Sequence, residues 1–302
     1  MVIKKLVFDV GGTFIKYALM DNEAYIFEKG KVKTPLTSID EFINQIIKIY
    51  EIYKNDVNGI AFSMPGNIDS ATGHIYTPGA LSYNANVNII DELHKHIDIK
   101  ISIENDGKSA ALAEVWKGNL KDCNDGIVLV LGSGIGGGIV HNKKVMKGQH
   151  FFAGEVSFLA SDLSKPVDMS NNFAAKGSTI ALVMRTAMLK DIPFDSINGE
   201  QVFEWIQNND KEALQAFDEM TTVLATQIYN FQCLLDPERI LIGGGASKQD
   251  ILIETIQKKL DSIYDCFPVP APRAQIDVCK YHNDSNLIGA LYNYQLQFED
   301  IN

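Results

Sequence analysis

Three glycine-rich segments, each directly after an apolar run, carry the clearest chemical signal in this sequence. They lie at residues 11–13, 132–138 and 243–247. A turn without side chains lets consecutive backbone N–H groups approach a phosphate closely and form an anion-binding nest. An ordinary hairpin turn also favours glycine, so one such segment alone has two interpretations. Three of them in one chain favour a protein that binds nucleotide phosphates.

The second and third segments differ in the elements that we expect after them. Gly132, Gly134 and Gly137 match the spacing G-x-G-x-x-G, but a strand rather than a helix is predicted to follow, which disfavours a dinucleotide-binding fold. Residues 243–247 follow a predicted strand and are expected to open a helix. The free amides and the dipole of such a helix suit an anion or the edge of a nucleotide.

Two acidic residues occupy positions where a carboxylate can act on a ligand. Asp9 ends an otherwise apolar strand, where burial is costly unless the carboxylate meets a hydrogen-bond donor or a metal, and the Mg²⁺ carried by ATP is one candidate. Asp106 follows Asn105 at a predicted strand-to-helix junction. Asp or Asn at such a junction is also favoured simply as a helix N-cap, so both interpretations stay open at this point.

The composition limits the classes of partner. The chain has 302 residues, of which 46% are hydrophobic and 22% charged, so it can bury a full core and is long enough for two lobes. Its formal net charge of -11 argues against a nucleic-acid or anionic-membrane partner, because both require clustered Lys and Arg. A small-molecule partner is therefore expected.

The cysteines and the N-terminus favour a reduced, cytoplasmic protein. Cys123, Cys233, Cys266 and Cys279 are far apart and form no C-x-x-C pair, so neither a disulfide framework nor a zinc knuckle is indicated. The apolar run near the N-terminus ends at Asp9, which makes it too short for a signal sequence or a membrane span. We therefore expect a cytoplasmic location.

Hydrophobic periodicity and turn residues predict alternating strands and helices. In the first part of the chain we expect strands at 3–9 and 14–20 joined by a glycine turn, a helix at 39–53, a strand at 57–62, a turn-rich loop at 64–83, a helix at 88–96, a strand at 99–103 and a helix from 106. Thereafter we expect a glycine-tipped hairpin from 127, helices at 177–189, 211–235, 249–263 and 285–298, a strand ending in glycines at 243–245, and a strand at 275–279.

The two predicted hairpins indicate an internal duplication. The segment from 127 repeats the plan of the segment from 6: an apolar strand, a glycine-rich tip, a second apolar strand and a polar turn. Two related hairpins predict two homologous lobes. We expect an N-terminal lobe at 1–118, with the C-terminal helix 285–302 packing back onto it, and a C-terminal lobe at 119–284.

Six motifs make the sequence resemble the ROK family of repressors, open reading frames and sugar kinases. They are DVGGTFIK at 9–16, SMPGNID at 63–69, ENDGKSAALAE at 104–114, LGSGIGGGI at 131–139, AGEVS at 153–157 and LIGGGAS at 241–247. The resemblance covers nearly the whole chain. It implies an α/β protein with the two-lobed actin-like ATPase (ribonuclease H-like) fold and its duplicated βββαβα core, which phosphorylates a sugar with ATP and Mg²⁺.

The resemblance also implies a role for individual residues. Asp106 corresponds to the catalytic aspartate that takes the proton of the attacking sugar hydroxyl, a role that suits a weak base because the loose transition state of phosphoryl transfer depends mainly on positioning. Gly66, Asn84, Asn105 and Glu155 correspond to residues that bind the sugar, together with Asp106 itself. For Glu155, a surface ion-pair role is the alternative.

A larger set is expected to bind ATP, and Asp9 is also expected to contact its Mg²⁺. The expected ATP-binding residues are Asp9, Gly11, Gly12, Thr13, Lys16, Gly132, Ser133, Gly134, Gly136, Gly177, Gly244 and Gly245. The family further implies a homodimer, with sugar and ATP as the small-molecule partners and no nucleic acid or membrane.

The sequence departs from the common family pattern directly after Glu155. Many members carry G-E-x-G-H followed by a cysteine cluster, and the histidine and three cysteines hold a structural zinc. Here Ser157 replaces the glycine, Phe158 replaces the histidine, and no cysteine lies between Cys123 and Cys233. Since structural zinc requires about four closely spaced N or S ligands, we predict that this protein has no structural zinc.

The same departure bears on the substrate. Phe158 offers no hydrogen bond at the C1 and C2 end of a sugar, so a different sugar or a tolerated aglycone is favoured. Sequences of this type resemble β-glucoside kinases, which phosphorylate the 6-hydroxyl. Glucokinase, fructokinase and above all N-acetylmannosamine kinase are the alternatives.

Two non-enzymatic alternatives belong to the same family. ROK repressors carry a DNA-binding domain before the sugar lobe, but here the first strand is expected from residue 3, and the charge is unsuitable for DNA. A sugar-sensing protein without turnover would require a damaged catalytic motif, whereas Asp9, Asp106 and the three glycine segments are all present. A kinase is therefore expected.

Overall fold

The computed structural model describes residues 3–268 and 270–299 and divides them into two compact units. The first unit contains residues 3–118, 147–153 and 284–299, and the second contains residues 119–146 and 154–283 apart from Val269. Each unit has its own hydrophobic core. No helix among the described residues combines the length and the apolar character needed to cross a membrane.

The strands and helices alternate as expected for an α/β protein. The strands are β1 (Lys4–Val10), β2 (Phe14–Asp21), β3 (Ile26–Lys33), β4 (Val57–Met64), β5 (Asn67–Asp69), β6 (His74–Thr77), β7 (Val87–Asn88), β8 (Lys100–Asn105), β9 (Gly126–Leu131), β10 (Ile135–His141), β11 (Lys144–Val145), β12 (Arg239–Gly244) and β13 (Ile276–Val278). The helices are α1 (Ile39–Tyr53), α2 (Ile89–His94), α3 (Asp106–Trp116), α4 (Phe173–Gly177), α5 (Thr179–Lys190), α6 (Gly199–Gln207), α7 (Lys211–Leu235), α8 (Asp250–Asp265) and α9 (Ser285–Phe298).

The main sheet of each unit has the same topology. In the first unit the strand order is β3-β2-β1-β4-β8, and in the second it is β11-β10-β9-β12-β13. In the first unit β1 pairs antiparallel with β2 and parallel with β4, which follows α1. In the second unit β9 pairs antiparallel with β10 and parallel with β12, which follows α7. This repeated order confirms the predicted duplication and is that of the actin-like ATPase fold.

Helix α9 brings the end of the described chain into the first unit. It packs closely against α3 at Gly289, where a Cβ atom would overlap the backbone carbonyl oxygen of Ser109. It also packs on the sheet, where the ring of Tyr294 occupies the space beside Gly59. A helix distant in sequence therefore supports the helix that begins at Asp106.

The helix bounds expected for α1, α7 and α9 agree with the structure, and the two glycine-tipped hairpins are also confirmed. Local chemistry explains the agreement. Ser38 and Asp210 accept hydrogen bonds from the third residues of α1 and α7, as N-caps do.

The structure differs from the sequence expectations in several places. The turn-rich loop at 64–83 contains the strands β5 and β6 of a three-stranded sheet, and α6 was not predicted. The third glycine segment opens into a 3-10 turn, Gly245–Lys248, and α8 begins only at Asp250. Residues 147–153, which we expected in the second lobe, pack with the first unit because their backbone is held by side chains of that unit.

Candidate functional site

The carboxylate of Asp9 lies at the C-terminal end of β1 and is largely buried. Antiparallel pairing places Asp9 opposite Lys16 on β2, and Lys16 Nζ donates to Asp9 Oδ2 at 3.1 Å. The other oxygen, Oδ1, accepts a hydrogen bond from Asn286 Nδ2 at 2.9 Å. Asn286 lies on α9 and was not predicted from the sequence. Both carboxylate oxygens are thus oriented by donors.

The first glycine turn is fixed by contacts with β3 and its continuation. The hydroxyl of Thr34 donates to the carbonyl of Gly11 at 2.6 Å, and the Thr34 N–H donates to the carbonyl of Thr13 at 3.1 Å. A Cβ atom at Gly12 would lie 3.3 Å from the Cβ of Ala80. The turn is therefore rigid and closely packed, and its predicted residues Gly11, Gly12 and Thr13 lie together.

Asn105 and Asp106 form the junction between β8 and α3. Asn105 is a true N-cap, since its Oδ1 accepts from the Lys108 N–H at 3.0 Å, but its Nδ2 also donates to the carbonyl of Gly66 at 2.9 Å. Asp106 is the first residue of α3 and is half-buried, and its Oδ1 accepts from the Gly107 N–H at 2.8 Å. The N-cap role of Asn105 is thus compatible with the sugar-binding role expected from the sequence.

Gly66 contacts the start of the loop after β6, and Asn84 lies in the 3-10 turn that follows this loop. Gly66 has a φ of 114° and closely approaches the carbonyl of Thr77, so a side chain would not fit there. Asn84 lies in the 3-10 turn Ser82–Asn84 with its side chain fully buried, and neither its Oδ1 nor its Nδ2 has a hydrogen-bond partner among the described residues. Burial raises the pKa of the neighbouring Tyr83 to about 12.

In the second unit the turn between β9 and β10 carries the second glycine segment. The Gly132 N–H donates to the carbonyl of Gly134 at 3.0 Å, which closes the turn. Gly136 continues into β10, where it pairs with Val130 on β9. The turn therefore presents Ser133 at its tip, as a hairpin turn does.

Glu155 lies beside this hairpin because two glycines allow a close approach. Gly154 has a φ of 86°, and a Cβ at Gly137 would lie 2.6 Å from its carbonyl oxygen. Glu155 itself is half-exposed and begins the 3-10 turn Val156–Phe158. Phe158, at the position where zinc-containing relatives have histidine, exposes 52% of its surface.

A cavity of about 650 Å³ lies in the second unit beside the second and third glycine segments. Its lining residues are Leu131, Gly132, Ser133, Thr179, Ile180, Val183, Ile197, Asn198, Gly199, Glu200, Phe203, Gly245, Ala246 and Gln249. The set combines backbone amides, an apolar wall and a few polar side chains, which is typical of a small-molecule site. Its size and composition suit a nucleotide.

The structure places only part of the expected ATP-binding set in the lining of this cavity. Gly132, Ser133 and Gly245 line it, whereas Gly134, Gly136, Gly177 and Gly244 are not among its lining residues. Two of these have structural roles. Gly177 packs against the ring of Phe173, and Gly244, with a φ of 87°, closely approaches the Leu131 backbone.

The sequence analysis missed the wall that α6 contributes. The cavity-lining residues from 197 to 203 lie at the start of this helix. A signal was present, because Asn198 and Gln201 have the spacing of a capping box, and Asn198 Oδ1 indeed accepts from the Gln201 N–H at 3.0 Å. Thr179, at the start of α5, also lines the cavity.

No group of three or more His, Cys, Asp and Glu side chains in the described parts of the chain is arranged to hold a metal ion. Asp9 is a single carboxylate with two donors. This arrangement fits Mg²⁺ that arrives with a nucleotide, since Mg²⁺ usually binds through one or two carboxylates together with substrate phosphates.

Comparison with known proteins identifies the family. The ROK family model matches residues 6–295. The β-glucoside kinase of Listeria monocytogenes serovar 1/2a is 29% identical over 296 residues, which cover 97% of each chain. An N-acetylmannosamine kinase of Haemophilus influenzae is 26% identical and covers 95% of this chain and 94% of its own.

A solved structure confirms the fold. The ROK family protein of Streptococcus pneumoniae in complex with sucrose superposes with a TM-score of 0.89 at 24% identity, covering 99% of this chain and all of its own. The relatives together support ATP-dependent phosphorylation of a sugar. With its repeated sheet topology, glycine turns and cavity, this chain belongs to the ROK family.

Proposed function

We propose that this ATP-dependent sugar kinase transfers the γ-phosphoryl group of ATP to the 6-hydroxyl of a glucose-type hexose or β-glucoside. The observation that carries the proposal is the junction at Asn105 and Asp106. A half-buried carboxylate begins α3, and its neighbour is tied to the Gly66 carbonyl. These contacts support the assignment of Asp106 as the proton acceptor and of Asn105 and Gly66 as groups that bind sugar hydroxyls.

In the proposed reaction Asp106 orients the sugar hydroxyl and accepts its proton. The hydroxyl oxygen forms a bond to the γ-phosphorus while the bond from that phosphorus to the β–γ bridging oxygen breaks, and ADP leaves. Such a transition state requires positioning more than strong deprotonation. The Gly107 N–H, which donates to Asp106 Oδ1, fixes the carboxylate for this task.

We assign the cavity of the second unit to the nucleoside of ATP. Gly132, Ser133 and Gly245 supply backbone amides, and Ile180, Val183 and Phe203 supply an apolar wall. Asp9, held by Lys16 and Asn286, would bind the Mg²⁺ of the nucleotide. That ion, when bound, neutralises charge on the phosphates. Asn84, Asn105, Gly66 and Glu155 are assigned to the sugar.

The choice of a β-glucoside rests on the relative from Listeria monocytogenes and on Phe158. A phenyl side chain cannot donate a hydrogen bond to a substituent at the anomeric end, whereas it tolerates an apolar aglycone. N-acetylmannosamine or another hexose is the alternative, supported by the relative from Haemophilus influenzae. The proposal also includes a cytoplasmic homodimer without structural zinc, as the family resemblance and the absent histidine imply.

The test is ATP turnover, measured as ADP release in a coupled assay. The panel contains glucose, cellobiose, fructose, mannose and N-acetylmannosamine. The Asp106→Asn variant keeps the acceptor for the Gly107 N–H but removes the base, so kcat is expected to fall by about 10²- to 10⁴-fold. Asp40→Asn is the matched control, because Asp40 is an exposed acid in the first turn of α1.

Each outcome has a defined meaning. Turnover of a glucose-type sugar that is lost in Asp106→Asn but kept in Asp40→Asn supports the proposal. Preferred turnover of N-acetylmannosamine supports the alternative substrate. Sugar binding without ADP release in the wild type contradicts catalysis and favours a sugar-sensing protein.

A further inference from the structure

We propose that Tyr76 and Phe151 form a second subsite that binds the aglycone of a β-glucoside through the faces of their rings. The ligand class is a pyranose ring or an aromatic ring linked to the phosphorylated glucose. This inference rests on the proposed function, which it extends from the reacting sugar to the group attached to it. All of the residues involved lie in the first unit.

The first observation concerns how residues 147–153 are attached. Lys147 Nζ lies 2.9 Å from Glu104 Oε2, Asn67 Nδ2 donates to the carbonyl of His150 at 2.8 Å, and Lys108 Nζ donates to the carbonyl of Phe151 at 3.1 Å. Glu104 directly precedes Asn105, Asn67 directly follows Gly66, and Lys108 lies two residues after Asp106. The segment is therefore attached at three points around the residues assigned to the sugar.

The second observation is the aromatic stack that this segment completes. The rings of Tyr76 and Phe151 are nearly parallel, with an interplanar angle of 11° and centroids 5.9 Å apart, and His74 meets Tyr76 edge-on at 4.7 Å. Tyr76 nevertheless exposes 45% of its surface. Exposed aromatic surface of this kind next to polar groups is typical of ligand sites.

The third observation is that neighbouring contacts hold Phe151 in an unfavourable backbone conformation. Phe151 has a φ of 58°, in the left-handed region that non-glycine residues rarely adopt. Its carbonyl is held by the ammonium of Lys108, a side chain that is almost fully buried. Strained residues that are fixed by several contacts concentrate at ligand clamps.

A sugar or aryl ring fits this surface chemically. The axial C–H groups of a pyranose make its faces apolar, so a pyranose packs on an aromatic ring, while its edge hydroxyls need polar partners. Tyr76 lies on β6 next to Thr77, which pairs with Asn67 on β5, and Asn67 adjoins Gly66. The aromatic surface is thus continuous with the backbone assigned to the reacting sugar.

The experiment compares kcat/KM for glucose, cellobiose and phenyl β-glucoside in the full-length protein. In Tyr76→Ala, the ratio of kcat/KM for either glucoside to that for glucose should fall about three- to tenfold, because an aromatic contact of about 0.5–1.5 kcal/mol is lost. Phe151→Gly should lower the same ratio, and glycine accepts the left-handed backbone without strain.

Tyr25→Ala is the matched control. Tyr25 exposes 63% of its surface and packs edge-on against Phe27 with centroids 4.8 Å apart, but this pair lies at the start of β3. Its substitution should leave the ratio as in the wild type. Urea unfolding of each variant shows whether the fold is intact.

The outcomes separate the inference from the proposed function. If Tyr76→Ala and Phe151→Gly both phosphorylate glucose and keep the wild-type ratio of kcat/KM for the glucosides to that for glucose, the subsite is overturned. The kinase assignment then stays intact. If the wild type phosphorylates no sugar, the proposed function fails, and equilibrium binding of phenyl and methyl β-glucoside without ATP decides about the subsite. Tighter binding of the phenyl compound that Tyr76→Ala abolishes supports it, and equal binding overturns it.

Discussion

The hydroxyl of Ser157 makes two hydrogen bonds to the backbone of Ile135. Its Oγ accepts from the Ile135 N–H at 3.2 Å and donates to the Ile135 carbonyl at 2.7 Å. Ile135 begins β10 directly after the second glycine turn. Ser157 lies two residues after Glu155, so one side chain joins the turn assigned to ATP to the segment assigned to the sugar.

The first prediction concerns this connection. Ser157→Ala removes two hydrogen bonds of about 0.5–1.5 kcal/mol each, so the turn is expected to lose its fixed geometry and KM for ATP to rise about fivefold or more. Ser164→Ala is the control, because the hydroxyl of Ser164 donates to Asp162 in an exposed loop. Initial rates at varied ATP give the result, and an unchanged KM would show that Ser157 has no part in ATP binding.

The second prediction concerns the contact between α3 and α9. Gly289→Ala places a methyl group onto the Ser109 carbonyl and must separate the helices, so the free energy of unfolding should fall by about 1–3 kcal/mol or more. Gly245→Ala has open space around it and should leave unfolding unaltered. Urea titration followed by circular dichroism measures both. Equal stability of the two variants would contradict the close packing.

The third prediction concerns the buried ammonium of Lys5. Its Nζ lies 2.8 Å from Glu299 Oε1, donates to Asn22 Oδ1 at 3.2 Å and sits 5.1 Å from the ring centroid of Tyr294. Glu299→Gln leaves this charge buried without its counter-ion, so the free energy of unfolding should fall by about 3 kcal/mol.

The control for Lys5 is an exposed ion pair. Lys54 and Glu51 are about half-exposed, so Glu51→Gln should cost less than about 1 kcal/mol. Chemical denaturation of both variants provides the comparison. If Glu299→Gln lowers the free energy of unfolding by as little as Glu51→Gln does, the Lys5–Glu299 pair contributes little to stability.

The fourth prediction concerns the pH dependence of stability. Lys190 Nζ lies 2.5 Å from Asp210 Oδ2, and this hydrogen bond, together with that from the Ala213 N–H, holds the pKa of Asp210 below its ordinary value of 3.8. The ionised form therefore stabilises the folded state. This contribution is fully present above pH 3.8 and is lost as the pH falls through the lower pKa of the folded state.

Asp210→Asn keeps the N-cap of α7 but removes the charge. It should lower the free energy of unfolding at pH 7 by roughly 1 kcal/mol, and the difference from the wild type should shrink below pH 3.8. Urea midpoints at pH 7, 5, 4 and 3 measure this difference. A difference that is the same at all four pH values would exclude an ionic contribution of Asp210.

The sequence determined the elements whose signals are local. Apolar runs with glycine tips predicted both hairpins, and apolar positions at helical spacing predicted the bounds of α1 and α7, where Ser38 and Asp210 act as N-caps. The edge strand β3 has few apolar residues and is mostly exposed, so it carries no period-2 signal. The motif order was also sufficient to indicate the family, because these motifs are short and contiguous.

Only the tertiary structure decided which distant residues meet. Asn286 is 277 positions from Asp9, yet it holds the Asp9 carboxylate because α9 returns to the first unit. Residues 147–153 pack with the first unit, although the residues before and after them belong to the second. They do so because the side chains of Asn67, Glu104 and Lys108 bond to them. Local propensity contains no information on such contacts, because they depend on where whole elements pack.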